Sequence, residues 1–91
     1  MKLGDLCLTA REHITGNRQQ DYGTPEDNFA RIARYWTMYF RNKGLDIIIE
    51  KKDVALLMAL FKLAREQGNH KDDNLIDAIG YIDIAGSKFS V

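Results

Sequence analysis

DVALLMALFKLAREQGNHKDDNLIDAIGYID, residues Asp53–Asp83, decides how this 91-residue chain folds. It reads as two helices joined by a short polar turn around His70. From Val54 to Phe61 every residue is apolar. A helix hydrophobic all round belongs in an interior, so this one is expected to be buried on most sides. Lys62 and Arg65 interrupt the apolar run, and Gly68 closes it. The second helix carries Asp73, Asn74 and Asp77 toward those two bases. In an antiparallel hairpin turning at residues 69 and 70, positions that sum to about 139 lie at one height. Lys62 is then level with Asp77, and Arg65 with Asn74. Asp73 and Asp77 share a face one turn apart, as do Asn74 and Asp77.

This polar inlay supports two readings. As structure, a Lys–Asp pair between apolar rows fixes the register of the helices, although its desolvation makes it weak evidence for stability. As a site, the carboxylates suit a hard divalent cation and the bases suit phosphate.

Outward from the hairpin, the chain reads as an all-α bundle of four helices, at about 3–15, 25–43, 51–67 and 72–88. The first places Leu3, Leu6, Cys7, Ala10 and Ile14 at helical spacing. The second starts on Thr24 as cap and Pro25 as first residue, with Glu26 and Asp27 at the positive end of the dipole. Its stripe of Phe29, Ile32, Ala33, Trp36 and Phe40 should cross the hairpin, which is expected to be the central pair; an exposed third helix would overturn that placement. Leu45–Ile49 could be argued as a strand, but a lone strand has no partner, so it reads as an extended linker packed on the core. Gly80 and Gly86 each cost about 1 kcal/mol inside the last helix. They are expected where another element approaches closely.

Thirteen basic and thirteen acidic residues cancel, so composition gives nucleic-acid binding no support. Ninety-one residues make one small domain, and such domains often gain stability by self-association; a homo-oligomer is expected. The single cysteine, Cys7, excludes an intramolecular disulfide, fits a reducing cytoplasm, and is expected as a small buried hydrophobe. The N-terminus does not read as a signal peptide, and no apolar run approaches the ~20 residues that span a bilayer. A cytoplasmic protein without membrane contact is expected.

The segment Asn17–Asn28 is a second candidate site. Arg18, Asp21, Tyr22, Gly23 and Asn28 gather hydrogen-bonding groups beside a helix N-terminus, where anions bind well. A capped connector satisfying its own backbone explains the same residues. His13 and His70 lie at no metal-ligand spacing, which argues against zinc. No glycine-rich phosphate loop or nucleophile motif is present.

Three blocks carry a resemblance: RQQDYGTPEDNFARIARYW (Arg18–Trp36), DVALLMALFKLAR (Asp53–Arg65) and HKDDNLIDAIGYIDIAG (His70–Gly86). Together they are similar to a family of small uncharacterised proteins of bacteriophages and prophages, which itself resembles the MazG-like all-α nucleotide pyrophosphohydrolases. That superfamily builds a magnesium site from an E-x-x-E pair on one helix and an E-x-x-D pair on the next. The second pair falls on Asn74 and Asp77, with asparagine in place of glutamate. The first falls on the third helix, where apolar residues precede Lys62 and Arg65. The resemblance implies a MazG-like fold and Mg²⁺-dependent pyrophosphohydrolysis of a nucleoside triphosphate. Asp77 and Asp73 would be the catalytic and metal-holding acids, joined by Asp53. Lys62, Arg65, Asn74, Arg18, Tyr22 and Asn28 would hold the nucleotide. The contrasting reading is a non-catalytic, oligomeric binding or regulatory module of a phage, with the polar inlay as structure.

Overall fold

The structure is a computed structural model describing residues 1–16 and 23–89. Among these residues all regular structure is helical: α1 (Asp5–Thr15), α2 (Pro25–Asn42), α3 (Lys51–Gly68) and α4 (Asp72–Lys88). Each start has a local cause. Gly4, at φ 92°, turns the chain into α1, so the helix begins later than expected and Leu3 stays outside it, exposed. The Thr24 side chain accepts from the Asp27 N–H at 3.2 Å, with Pro25 as the first helical residue. Glu50 and Asp53 form a reciprocal capping box at α3, in which the Glu50 N–H donates to Asp53 Oδ2 at 2.9 Å.

α3 and α4 form the expected antiparallel hairpin and make the most extensive helix pairing. α2 packs on α3 and more lightly on α4, while α1 packs on α4. The core joins Phe29 and Ala33 of α2 to Val54 and Ala55 of α3 and Ala85 of α4, with Ile32, Trp36, Met58 and Tyr81 against them. The Phe29 ring lies 6.1 Å from Tyr81 and 5.6 Å from Phe89. Thus α2 crosses the hairpin through Phe29, Ile32 and Trp36, as its stripe predicts.

Several expectations are corrected. α3 is buried on one side only: Val54, Ala55 and Ala59 face inward, whereas Leu56, Leu57, Leu60, Phe61 and Leu63 are exposed. An apolar sequence states that a helix wants cover, not that its own chain supplies it. α4, which touches all three other helices, takes the central place. Cys7 is exposed, not buried. In the linker only Ile49 packs inward, its N–H donating to Thr37 Oγ1 at 2.8 Å, while Leu45, Ile47 and Ile48 are exposed. Gly80 does mark an approach, since a Cβ there would lie 3.5 Å from the Ile14 side chain of α1. Gly86 faces open space. No helix of the described residues is long and apolar enough to cross a membrane.

Candidate functional site

The hairpin seam carries the polar inlay. Lys62 Nζ and Asp77 Oδ2 meet at 2.8 Å, their side chains only 17% and 15% exposed. The height rule places this pair correctly. It fails for Arg65, whose guanidinium sits over the Phe61 ring at 5.4 Å on the exposed side. Lys62 and Glu66 are four apart and share the face turned to α4, whereas Arg65 is rotated about 100° from Glu66. Glu66 therefore meets the buried Asn74, whose side-chain amide donates at 3.4 Å to both Glu66 Oε1 and the Asn69 carbonyl.

Glu66 also closes the turn. Its Oε1 accepts from the Lys71 N–H at 3.0 Å, and its Oε2 pairs with His70 Nδ1. His70 Nε2 lies 3.3 Å from Asp72 Oδ1. The hydrogen bond that the His70 ring donates to Glu66, then the Glu66 charge, raise the His70 pKa above the ordinary histidine value. The same bond to His70, followed by the Lys71 amide, holds Glu66 below the usual carboxylate range. These four residues, Glu66, His70, Lys71 and Asn74, form a clip across the turn of the hairpin.

On the other side of α4 lies a cavity of about 310 Å³. Ala10, His13 and Ile14 of α1 line it, with Gly23, Pro25, Asn28 and Phe29 from the start of α2. α4 contributes Ile76, Asp77, Gly80, Tyr81 and Ile84. Its origin is geometric. Ile14 of α1 lies over Gly80, and α1 rests on α4 beside the start of α2, leaving a space between the three. The lining mixes apolar surface from Ile14, Phe29, Ile76 and Ile84 with the polar groups of His13, Asn28, Asp77 and Tyr81. Such a pairing, apolar walls with a few convergent polar atoms, is what small-molecule sites present.

Two regions the sequence treats separately thus converge, because Asn28 from the start of α2 and Asp77 from the hairpin line one cavity. Arg18, Asp21 and Tyr22 lie outside the described residues. Asp73 is exposed and does not line the cavity. Asp53 caps the far end of α3, nine residues from the level of Asp77 and so about 13 Å along the helix. His13, Tyr81 and Glu66 were not singled out from sequence as site residues. The i, i+4 spacing of Glu66 and His70 was a usable signal for the last.

The donor set of the described residues does not fit a resident magnesium ion. Among the described lining residues the one carboxylate, Asp77, is matched by the Lys62 ammonium, and a carboxylate so neutralised is a poor ligand for a hard cation. Among the described residues no three histidine, cysteine, aspartate or glutamate side chains are grouped to share an ion.

Fold and cavity together define an all-α chain built on a helical hairpin, with a ligand-sized recess between α1, the start of α2 and α4. The chain belongs to the family described as Domain of unknown function (DUF6378), whose model matches residues 5–88. It is 44% identical over 78 residues to the Gene 55 protein of Mycobacterium phage L5, covering 84% of this chain and 47% of that one. It is 38% identical over 73 residues to the Gene 55 protein of Mycobacterium phage D29, covering 79% and 45%. The chain thus spans about half the length of these curated relatives, and they mark it as a phage-type protein. No solved structure matches it.

Proposed function

We propose that this chain is a non-catalytic binding module that seats a small planar ligand, of the nucleobase or nucleoside class, between α1, the start of α2 and α4. The observation that carries the reading is the Asp77 carboxylate on the wall of a largely apolar 310 Å³ cavity. That volume suits the smaller members of the ligand-pocket range of roughly 300–1,000 Å³. Apolar walls accept the face of a ring, and Asp77 is an acceptor for ring and exocyclic N–H groups. Asn28, His13 and Tyr81 supply further hydrogen bonds.

Mg²⁺-dependent nucleotide pyrophosphohydrolysis on a MazG-like fold is the second reading. One observation favours it: Asp77, on the cavity wall, is the aspartate on which the MazG-like acid motif falls. It requires the Lys62 pair to open and Asp73 to turn inward.

One experiment separates the two. The protein and Asp77→Asn are melted with nucleosides and with nucleoside triphosphates, with and without Mg²⁺, and pyrophosphate release is followed in parallel. A rise in Tm with nucleoside, absent in Asp77→Asn, supports the binding module. Pyrophosphate release that Asp77→Asn abolishes puts the enzyme first. A flat response to every compound refutes both.

A further inference from the structure

None of the nine leucines of this chain is buried in its own fold. Leucine is among the residues most often found fully inside, yet among the described residues the interior is filled mainly by alanines, with Val54 the one large side chain fully out of solvent. The missing cover is localised. Along α4, Ile76, Gly80 and Ile84 point to the cavity beside α1 and α2. Leu75, Ile79 and Ile82, at i, i+4 and i+7, run along another face. On α3, Leu56, Leu60 and Leu63 lie opposite the buried Val54 and Met58 side. Helical rotation in an antiparallel pair sets the α3 row beside Leu75 and Ile82 of α4, on the face away from α2. The height rule makes three rungs of them, with Leu56 near Ile82, Leu60 near Ile79, and Leu63 near Leu75.

We propose that this outer face of the α3–α4 hairpin is the contact surface for a second copy of the same chain, the two hairpins closing into a four-helix core. Area supports the occupant. Leu60 is 60% exposed and Ile82 52%. With Leu56 and Leu63, and the half-buried Leu75 and Ile79, they leave on the order of 400 Å² of apolar surface in one patch, a size that in a monomer often marks a functional contact. Two such faces bury about 800 Å² of apolar surface, and polar rims around them bring the contact to the roughly 1,200 Å² at which specific interfaces begin. Charge supports like pairing with like. No position on the arc 56, 60, 63, 75, 79, 82, 86 is charged, so a two-fold contact meets no repulsion at its centre. Both hairpins are antiparallel, and packing them face to face repeats the geometry of an ordinary four-helix bundle. This inference is independent of the ligand reading, which uses the opposite side of α4.

Light scattering after size exclusion tests it. The wild-type chain is expected at twice its 10.4 kDa mass, and Leu60→Glu at the single-chain mass with an unchanged helical circular-dichroism spectrum. Should Leu60→Glu unfold, Leu60→Ala decides: losing one methylated branch from each copy weakens the dimer roughly 100-fold in dissociation constant. A wild-type monomer at high micromolar concentration overturns the proposal and hands the face to a different partner. A Leu60→Ala variant that associates as tightly as the wild type overturns it equally.

Discussion

Removing Lys62 is the sharpest perturbation of the hairpin. Lys62→Met keeps most of the side-chain volume and leaves the Asp77 carboxylate, 15% exposed, facing a thioether. Breaking a fully buried pair costs about 3–5 kcal/mol, whereas exposed pairs contribute about 0.2–1 kcal/mol. A pair at about one-sixth exposure falls between, at about 2–3 kcal/mol. For a domain of this size that lowers Tm by about 10–20 °C. The informative quantity is the coupling. With Asp77→Asn already in place, the amide does not demand a cation, and Lys62→Met then costs at least about 1.5 kcal/mol less than it does alone. Urea titrations of the four proteins at one fixed concentration measure this, since self-association makes stability concentration-dependent. Additivity of the two changes within about 0.5 kcal/mol refutes the argument, because it makes Lys62 and Asp77 neighbours that do not depend on one another.

Three further outcomes follow from the same geometry. The His70–Glu66 clip gives the turn a pH window: the raised pKa of His70 contributes stability that is full below about 6.5 and lost as pH rises through its folded value. The lowered pKa of Glu66 contributes stability that is present above about 4.5 and lost as pH falls through its folded value. An NMR titration of the His70 ring should show its midpoint fall toward about 6.5 in Glu66→Gln; an unchanged midpoint removes Glu66 as the cause. Gly80→Ala should raise stability by about 0.5–1 kcal/mol, because its Cβ meets Ile14 at an ordinary 3.5 Å; destabilisation in a thermal melt would mean that α1 lies closer on α4. Thr37→Val should cost about 1–2 kcal/mol and speed amide exchange at Ile49, whose N–H it leaves without its 2.8 Å acceptor.

Much of this arrangement can be read from residues alone, and the failures share one cause. The Thr24–Pro25 helix start, the Phe29 stripe and the Lys62–Asp77 pair all follow from spacing within one or two elements, where helical geometry is nearly rigid. Arg65 was set against Asn74 by height, and height ignores rotation. Adding the 100° step per residue exchanges Arg65 for Glu66, which fits Asn74 equally well by height. The cavity is harder to see. It depends on three segments distant in sequence and on how α1 packs over Gly80, so His13 and Tyr81 carry no local signal. The exposure of α3 is a different kind of case. Eight consecutive apolar residues specify burial, but a sequence does not say whether its own fold or a neighbour provides it. The exposed Leu56, Leu60 and Leu63 are the residue of that ambiguity.

The glycine pair makes the same point at smaller scale. Gly80 and Gly86 sit in one helix and look alike in sequence. One lies under Ile14 and shapes a cavity; the other faces open space. Only the packing of α1 distinguishes them.

The central claim is that the recess between α1, α2 and α4 is a ligand site governed by Asp77. Its most direct test is an amide ¹H–¹⁵N spectrum of the protein titrated with adenosine and with cytidine. The predicted result is shift changes confined to residues around Ala10, Asn28, Gly80 and Tyr81, and their loss in Asp77→Asn. Unmoved resonances at those four residues up to millimolar nucleoside, or changes that persist in Asp77→Asn, contradict it.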